Sequence, residues 1–124
     1  RLAEDFLPGP LTLVVRLSAA LPPALTAGRG TVGVRVPAHD DARAFIRACG
    51  GSLAVTSANF SGEPPATRVS ELPEALAARV DLVLDGGTTP GGLASTVVDC
   101  SVTPPRILRA GPLTAAALGI EPPT

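Results

Sequence analysis

Thr31-Val32-Gly33-Val34-Arg35-Val36 (TVGVRV) alternates between apolar and other residues, and that alternation decides how the chain is read. A period of two belongs to a strand, with Val32, Val34 and Val36 on one face and Thr31, Gly33 and Arg35 on the other. Pro37 ends it, because proline fixes φ and lacks the N–H that a ladder requires. Just beyond, the period changes. In the helix Asp41 to Cys49, the residues Ala42, Phe45, Ile46 and Cys49 fall at i, i+3, i+4 and i+7, a stripe expected to pack inward. Asp40 is the expected N-cap and Gly50-Gly51 the stop.

The same two periods organise the rest of the chain. Upstream, Leu11 to Leu17 (LTLVVRL) reads as a strand entered through the turn Leu7-Pro8-Gly9-Pro10. Arg1 to Phe6 reads as the last turns of a helix. Ser18 to Gly30 is a Pro- and Gly-punctuated connection with a helical turn at Pro23–Ala27. Downstream, Leu53 to Thr56 is an expected strand, Ser70 to Val80 a helix with Leu72, Leu76 and Val80 inward, and Asp81 to Asp85 another strand. Thr96 to Asp99 and Arg106 to Arg109 are short strands expected to pair; Leu113 to Leu118 is a last helical turn, and Glu121 to Thr124 a tail. Strands and helices mix without βαβ regularity. The expectation is an α+β fold, a twisted mixed β-sheet with flanking helices, over residues 1–112, followed by the turn and tail of 113–124.

Composition removes several classes of function. With 124 residues the chain has room for one domain and one core. A hydrophobic content of 45% excludes a disordered chain, yet no apolar run nears the roughly 20 residues that span a bilayer. A net charge of −1 gives no electrostatic grip on nucleic acid. All ten cations are arginines, so neither a lysine Schiff base nor a Walker-type phosphate lysine can form within these residues. His39 is the only histidine and is expected at the surface. Cys49 and Cys100 form no metal or redox motif and are expected as reduced thiols in or near the core, which fits a cytoplasmic protein. The chain begins at Arg1 without an initiator methionine, and is expected to be the C-terminal part of something larger.

Candidate chemistry gathers where apolar runs break into polar loops. Val55-Thr56-Ser57-Ala58-Asn59-Phe60-Ser61-Gly62-Glu63-Pro64-Pro65-Ala66-Thr67 sets hydroxyls and one amide on a frame stiffened by glycine and prolines, suited to a polar small molecule such as a nucleotide. In extended geometry Ser57 and Asn59 point the same way and form a ligand shelf; alternatively Asn59 makes an Asx-turn that Ser61 caps. Arg35 has two readings, a solvated cation or a guanidinium fork for a carboxylate or phosphate. Arg109, just before Gly111-Pro112, has the same two. Gly86 to Ser95 is either a plain turn or a loop whose N–H groups bind an anion, and Ser95-Thr96 at its end is a strand-edge hydroxyl pair. No nucleophile–base pair can be assembled. The inventory favours positioning and electrostatic stabilisation over covalent catalysis.

Five segments in order carry a resemblance. Phe6-Leu7-Pro8-Gly9-Pro10-Leu11-Thr12, Gly33-Val34-Arg35-Val36-Pro37, Thr56-Ser57-Ala58-Asn59 with Ser61-Gly62 and Pro65-Ala66-Thr67, Ser95-Thr96-Val97-Val98-Asp99, and Arg109-Ala110-Gly111 resemble the YrdC-type threonylcarbamoyl-AMP synthases. The resemblance implies an enzyme that makes threonylcarbamoyl-adenylate and pyrophosphate from L-threonine, bicarbonate and ATP, with Mg²⁺, while other proteins pass the product to tRNA. It implies that Arg35, Ser57 and Ser95 contact threonine and that Thr31, Asn59, Thr67 and Arg109 line the ATP side. The family usually has Trp where Leu7 stands, and its N-terminal portion, with further substrate contacts, has no counterpart here. The segment alone is therefore expected to be inactive. Two rivals are a related carbamoyl-adenylating domain and a non-catalytic RNA-binding module.

Overall fold

A computed structural model describes residues 1–90 and 92–121, which form two compact units. The first comprises residues 1–52 together with those from 93 onward, and the second residues 53–92. The last three residues of the expected tail lie outside the described residues.

The first unit is built on a mixed four-stranded sheet of order β2-β1-β3-β4, from β1 (Leu11–Arg16), β2 (Thr31–Val34), β3 (Thr96–Asp99) and β4 (Arg106–Arg109). It is the α+β sheet expected from the sequence. β1 runs antiparallel to β2 and parallel to β3, and β3 and β4 pair antiparallel as expected. Alternation sorts the sheet into two faces. Leu11, Leu13, Val98 and Ile107 lie on the buried face with Leu118, packed against Leu2 and Phe6 of α1 (Leu2–Phe6) and Ala115 of α5 (Ala115–Leu118). Thr96, also on this face, is fully buried and satisfied: its hydroxyl donates to the Leu113 carbonyl at 2.9 Å and accepts the Leu113 N–H at 3.0 Å. The opposite face carries Thr12, Val14, Gly33, Val97 and Asp99.

One irregularity matters for that second face. The register runs Asp99↔Arg106 and Val98↔Ile107 but then Val97↔Arg109, so Leu108 is an extra residue in β4. Such a β-bulge re-aims the side chains beyond it. Here it turns Arg109 onto the face of Val97 and leaves Leu108 half exposed.

Several expectations are corrected. β2 stops at Val34, and Val34 and Val36 are exposed: β2 is an edge strand without a partner on its outer side. The helix α3 (Asp40–Ala48) is capped by His39, whose Nδ1 accepts the Ala42 N–H at 3.2 Å; Asp40 is its first residue. None of its residues is fully buried: Ala42 and Ile46 of the expected stripe are half-buried, while Phe45 and Cys49 are exposed. Cys100 does pack against the core.

In the second unit the expected strands over 53–56 and 81–85 do not form, and Val55, Leu82 and Leu84 are exposed. The expected helix over 70–80 is a 3₁₀ turn (Val69–Glu71) followed by α4 (Glu74–Ala77). Pro73 explains the break. Its ring disfavours helical geometry at the preceding residue, and Leu72 is extended at φ −66°, ψ 127°.

Candidate functional site

The expected site residues divide between the two units. Thr31, Arg35, Ser95 and Arg109 belong to the sheet unit; Ser57, Asn59 and Thr67 belong to the other.

In the sheet unit the entrance to β3 is held from three directions. Arg109 donates from Nε and Nη2 to the Ser95 carbonyl at 3.1 and 2.9 Å, and from Nη2 to the Ser95 hydroxyl at 3.2 Å. Thr12 Oγ1, on the neighbouring strand, lies 2.7 Å from Ser95 Oγ. Gly111 closes the third side: a Cβ there would sit 2.6 Å from the Ala94 carbonyl oxygen and 2.7 Å from the Ser95 carbonyl carbon. Only glycine fits so close a backbone approach. Ser95 itself is only 6% exposed.

Thr31 and Arg35 follow the alternation of β2 and share the face of Gly33, whose open Cα faces the Thr12 methyl; a Cβ there would be 3.2 Å from it. The β1–β2 register, continued by one residue past Leu13↔Val34, sets Arg35 opposite Thr12. Arg35 Nε donates to the Gly9 carbonyl at 3.1 Å, which fixes the stem of the side chain. Arg35 also lines an open cavity of about 190 Å³ with Arg43, Arg47 and Ile46. Among the described residues neither Arg35 nor Arg109 forms an ion pair. Two guanidinium groups without carboxylate partners on one sheet face suit an anionic ligand.

Further along that face Asp99 is committed to structure. Its carboxylate accepts the Ser101 hydroxyl at 2.5 Å and N–H at 2.9 Å, and Arg106 stands 3.7 Å away. The Ser101 hydroxyl first, then the Ser101 N–H, hold its carboxyl below the usual carboxylate range, with Arg106 and Arg16 adding smaller effects.

In the second unit the 58–66 loop is closed by Ala66 N–H to the Ala58 carbonyl at 3.2 Å. Ser57 and Asn59 do not form an extended shelf: the Asn59 N–H turns back to the Ser57 carbonyl at 3.1 Å, a tight turn about Ala58. The Asn59 amide nitrogen donates to the Phe60 and Glu63 carbonyls at 2.9 and 3.0 Å, bracing the loop. That leaves Asn59 Oδ1 buried without a partner among the described residues. A buried acceptor left so costs about 1–3 kcal/mol, which a ligand N–H would recover.

Thr67 donates from its N–H and its hydroxyl to Glu71, each at 2.9 Å, and these bonds together with Arg68 lower the Glu71 carboxyl below its ordinary value. Ser57 is exposed and lines an apolar cavity of about 350 Å³ with Leu72, Leu76, Val80 and Leu82. In the loop after residue 85, the Gly87 N–H is taken by the Asp85 carboxylate at 2.9 Å, so it is not open to an anion.

Sequence reasoning passed over Thr12 and the bulge. Thr12 is the only polar residue between Leu11 and Val15, a signal that an alternation count over β1 would have raised. The bulge carries no such signal. Among the described residues no cluster of three or more His, Cys, Asp or Glu side chains could hold a metal ion. No described helix is long and apolar enough to cross a membrane.

Comparison with known proteins identifies the scaffold. The threonylcarbamoyl-AMP synthase of Pyrococcus abyssi is 42% identical over 112 residues, covering 90% of this chain and 33% of the relative. The structure of P. abyssi Sua5 complexed with L-threonine superposes with a TM-score of 0.86 at 41% identity, covering 93% of this chain and 34% of that one. Escherichia coli YciO gives a TM-score of 0.82 at 28% identity, covering 95% and 58%. The chain thus spans about a third of the P. abyssi protein. The Sua5/YciO/YrdC family model, described as "Telomere recombination", matches residues 1–111. The polar sheet face that carries Arg35 and Arg109 therefore sits on a known scaffold, and the chain belongs to the Sua5/YciO/YrdC family.

Proposed function

We propose that the chain supplies part of the substrate site of an L-threonylcarbamoyladenylate synthase, a nucleotidyltransferase serving tRNA modification. The observation that carries this reading is the likeness, at 41% identity, to a relative complexed with L-threonine, joined to Arg35 and Arg109 on one sheet face, neither in an ion pair among the described residues. Threonine and ATP both present anionic oxygens, which planar guanidinium forks bind with charge-assisted hydrogen bonds of about 1.5–3 kcal/mol each.

In the reaction, the threonine amine and bicarbonate condense with loss of water to a carbamate. A carbamate oxygen then attacks the α-phosphorus of ATP, and the bond to pyrophosphate breaks. The substrate brings its own nucleophile, which agrees with a site lacking a nucleophile–base pair. Any Mg²⁺ enters as part of the nucleotide substrate. The protein aligns the reactants and stabilises developing charge. In the sheet unit, Arg35 serves threonine and Thr31 and Arg109 serve the nucleotide, with Ser95, held between Arg109 and Thr12, bracing the threonine side. In the second unit, taken by itself, Ser57, Asn59 and Thr67 are the candidate contacts, and the orphaned Asn59 Oδ1 matches an N–H such as that of the adenine amino group.

Because the chain spans a third of the P. abyssi relative, residues 1–124 by themselves are expected to release no pyrophosphate from ATP in a threonine-dependent way. The site is tested by calorimetry with L-threonine and with ATP. Arg35→Ala is expected to weaken threonine about 10- to 100-fold, and Asn59→Ala to weaken ATP by about tenfold. Unchanged affinities in both variants would overturn the assignment.

A further inference from the structure

We propose that Thr12 is a ligand-reading residue of the sheet-unit site, donating its hydroxyl proton to an anionic oxygen of the bound substrate at the end of a relay that starts on Arg109. The inference rests on the functional reading above and deepens it. Its warrant is a count of protons and lone pairs.

A guanidinium can only donate, so the contact of Arg109 Nη2 with Ser95 Oγ fills one lone pair of that hydroxyl. Ser95 Oγ and Thr12 Oγ1 lie 2.7 Å apart, the ordinary length of an O–H···O bond, and either could donate. The two hydroxyls together own two protons and use one between them. Whichever way that bond runs, one proton is left over, and no acceptor among the described residues takes it.

Burial decides where it sits. Ser95 is 6% exposed and enclosed by Arg109, Thr12 and the backbone of Gly111, whereas Thr12 is half-buried on the polar face of the sheet. The Ser95 proton therefore points to Thr12 Oγ1, and the Thr12 proton is the surplus one. Donation then runs from guanidinium to Ser95 to Thr12 in a single sense. Each bond in such a chain polarises the next, so the terminal O–H is a better donor than an isolated hydroxyl.

The occupant must present an acceptor, and the setting says an anionic one. Arg35 falls opposite Thr12 in the continued register, and neither Arg35 nor Arg109 has a carboxylate partner among the described residues. Gly33 keeps the space beside the Thr12 methyl open, since any Cβ there would approach within 3.2 Å. A carboxylate of the amino acid and a phosphate of the nucleotide share this chemistry.

The test compares wild type with Thr12→Val, which keeps the β-branched shape and removes the hydroxyl, and with Thr12→Ser, which restores it. L-threonine and ATP are titrated separately by calorimetry, with chemical denaturation as a check on folding. The expected result is a loss of about tenfold in affinity for one of the two ligands in Thr12→Val, the other staying within about twofold, and recovery in Thr12→Ser. Loss for threonine alone assigns the carboxylate, and loss for ATP alone the phosphate. Both affinities unchanged in Thr12→Val would overturn the inference while leaving the functional reading intact. Equal losses for both, or no recovery with Ser, would reduce Thr12 to a packing residue and overturn it as well. A wild-type protein that binds neither ligand would overturn both readings.

Discussion

Gly111→Ala is the sharpest test of how Ser95 is held. The added methyl carbon would lie 2.6 Å from the Ala94 carbonyl oxygen and 2.7 Å from the Ser95 carbonyl carbon, with the Thr96 amide nitrogen closer still. All three are backbone atoms of the segment entering β3, so no side-chain rotation relieves the clash. Overpacking of well-filled sites costs about 1–3 kcal/mol, and a clash with backbone belongs at the upper end, about 3 kcal/mol. For a domain of this size that is a fall in Tm on the order of 10–20 °C.

The strand entrance would move away from Arg109 and Thr12, so ligand affinity should fall with stability. Gly28→Ala is the control: Gly28 has φ +71° but nothing within 4 Å of where the alanine methyl carbon would stand, so only the local left-handed strain is felt, about 1 kcal/mol. Urea denaturation followed by circular dichroism measures both. If Gly111→Ala lies within about 0.5 kcal/mol of wild type, or costs no more than Gly28→Ala, the close-approach argument is wrong.

Asp99→Asn should change how stability depends on pH. The folded carboxyl lies below its unfolded value, so its contribution is present above the ordinary carboxylate range of about 4 and lost as pH falls through the folded value. The variant should show a flatter acid limb in thermal melts below about pH 4, and identical slopes would contradict the Ser101 bonds as the cause. The two thiols should separate by reactivity. Cys49 is exposed, whereas burial first and Asp99 second raise the Cys100 thiol above its ordinary value, so a disulfide reagent at neutral pH should label Cys49 well before Cys100. Mass spectrometry of partly labelled protein distinguishes the two sites, and prior labelling of Cys100 would refute the placement.

Where an element forms its structure with neighbours close in sequence or with a strong period, it is legible in the sequence. The LTLVVRL strand, the pairing of residues 96–99 with 106–109 and the helix after Pro37 all appear within a residue or two of expectation. What fails are inferences about burial. Period 3.6 identifies a helix face but not the surface it meets, and Phe45 and Cys49 on the stripe of α3 are exposed. Residues 53–56 and 81–85 have strand-like composition, but a strand is defined by ladder partners, and the structure pairs neither segment. His39 gives no sign of a role in the sequence, yet the turn before a helix needs an acceptor and its imidazole supplies one.

The order of motifs along the chain sufficed to identify the family and to single out Arg35, Ser57, Asn59, Ser95 and Arg109, because family identity is written in residue types and spacing. Geometry was not written there. TVGVRV announced which residues share the outer face of β2, but only the ladder showed that Thr12 stands on that face too. Counting residues along β4 would have turned Arg109 the wrong way; the extra residue at Leu108 brings it to Ser95. A strand's own sequence sets its period, while register and bulges depend on the partner strand, whose position is a property of the folded chain.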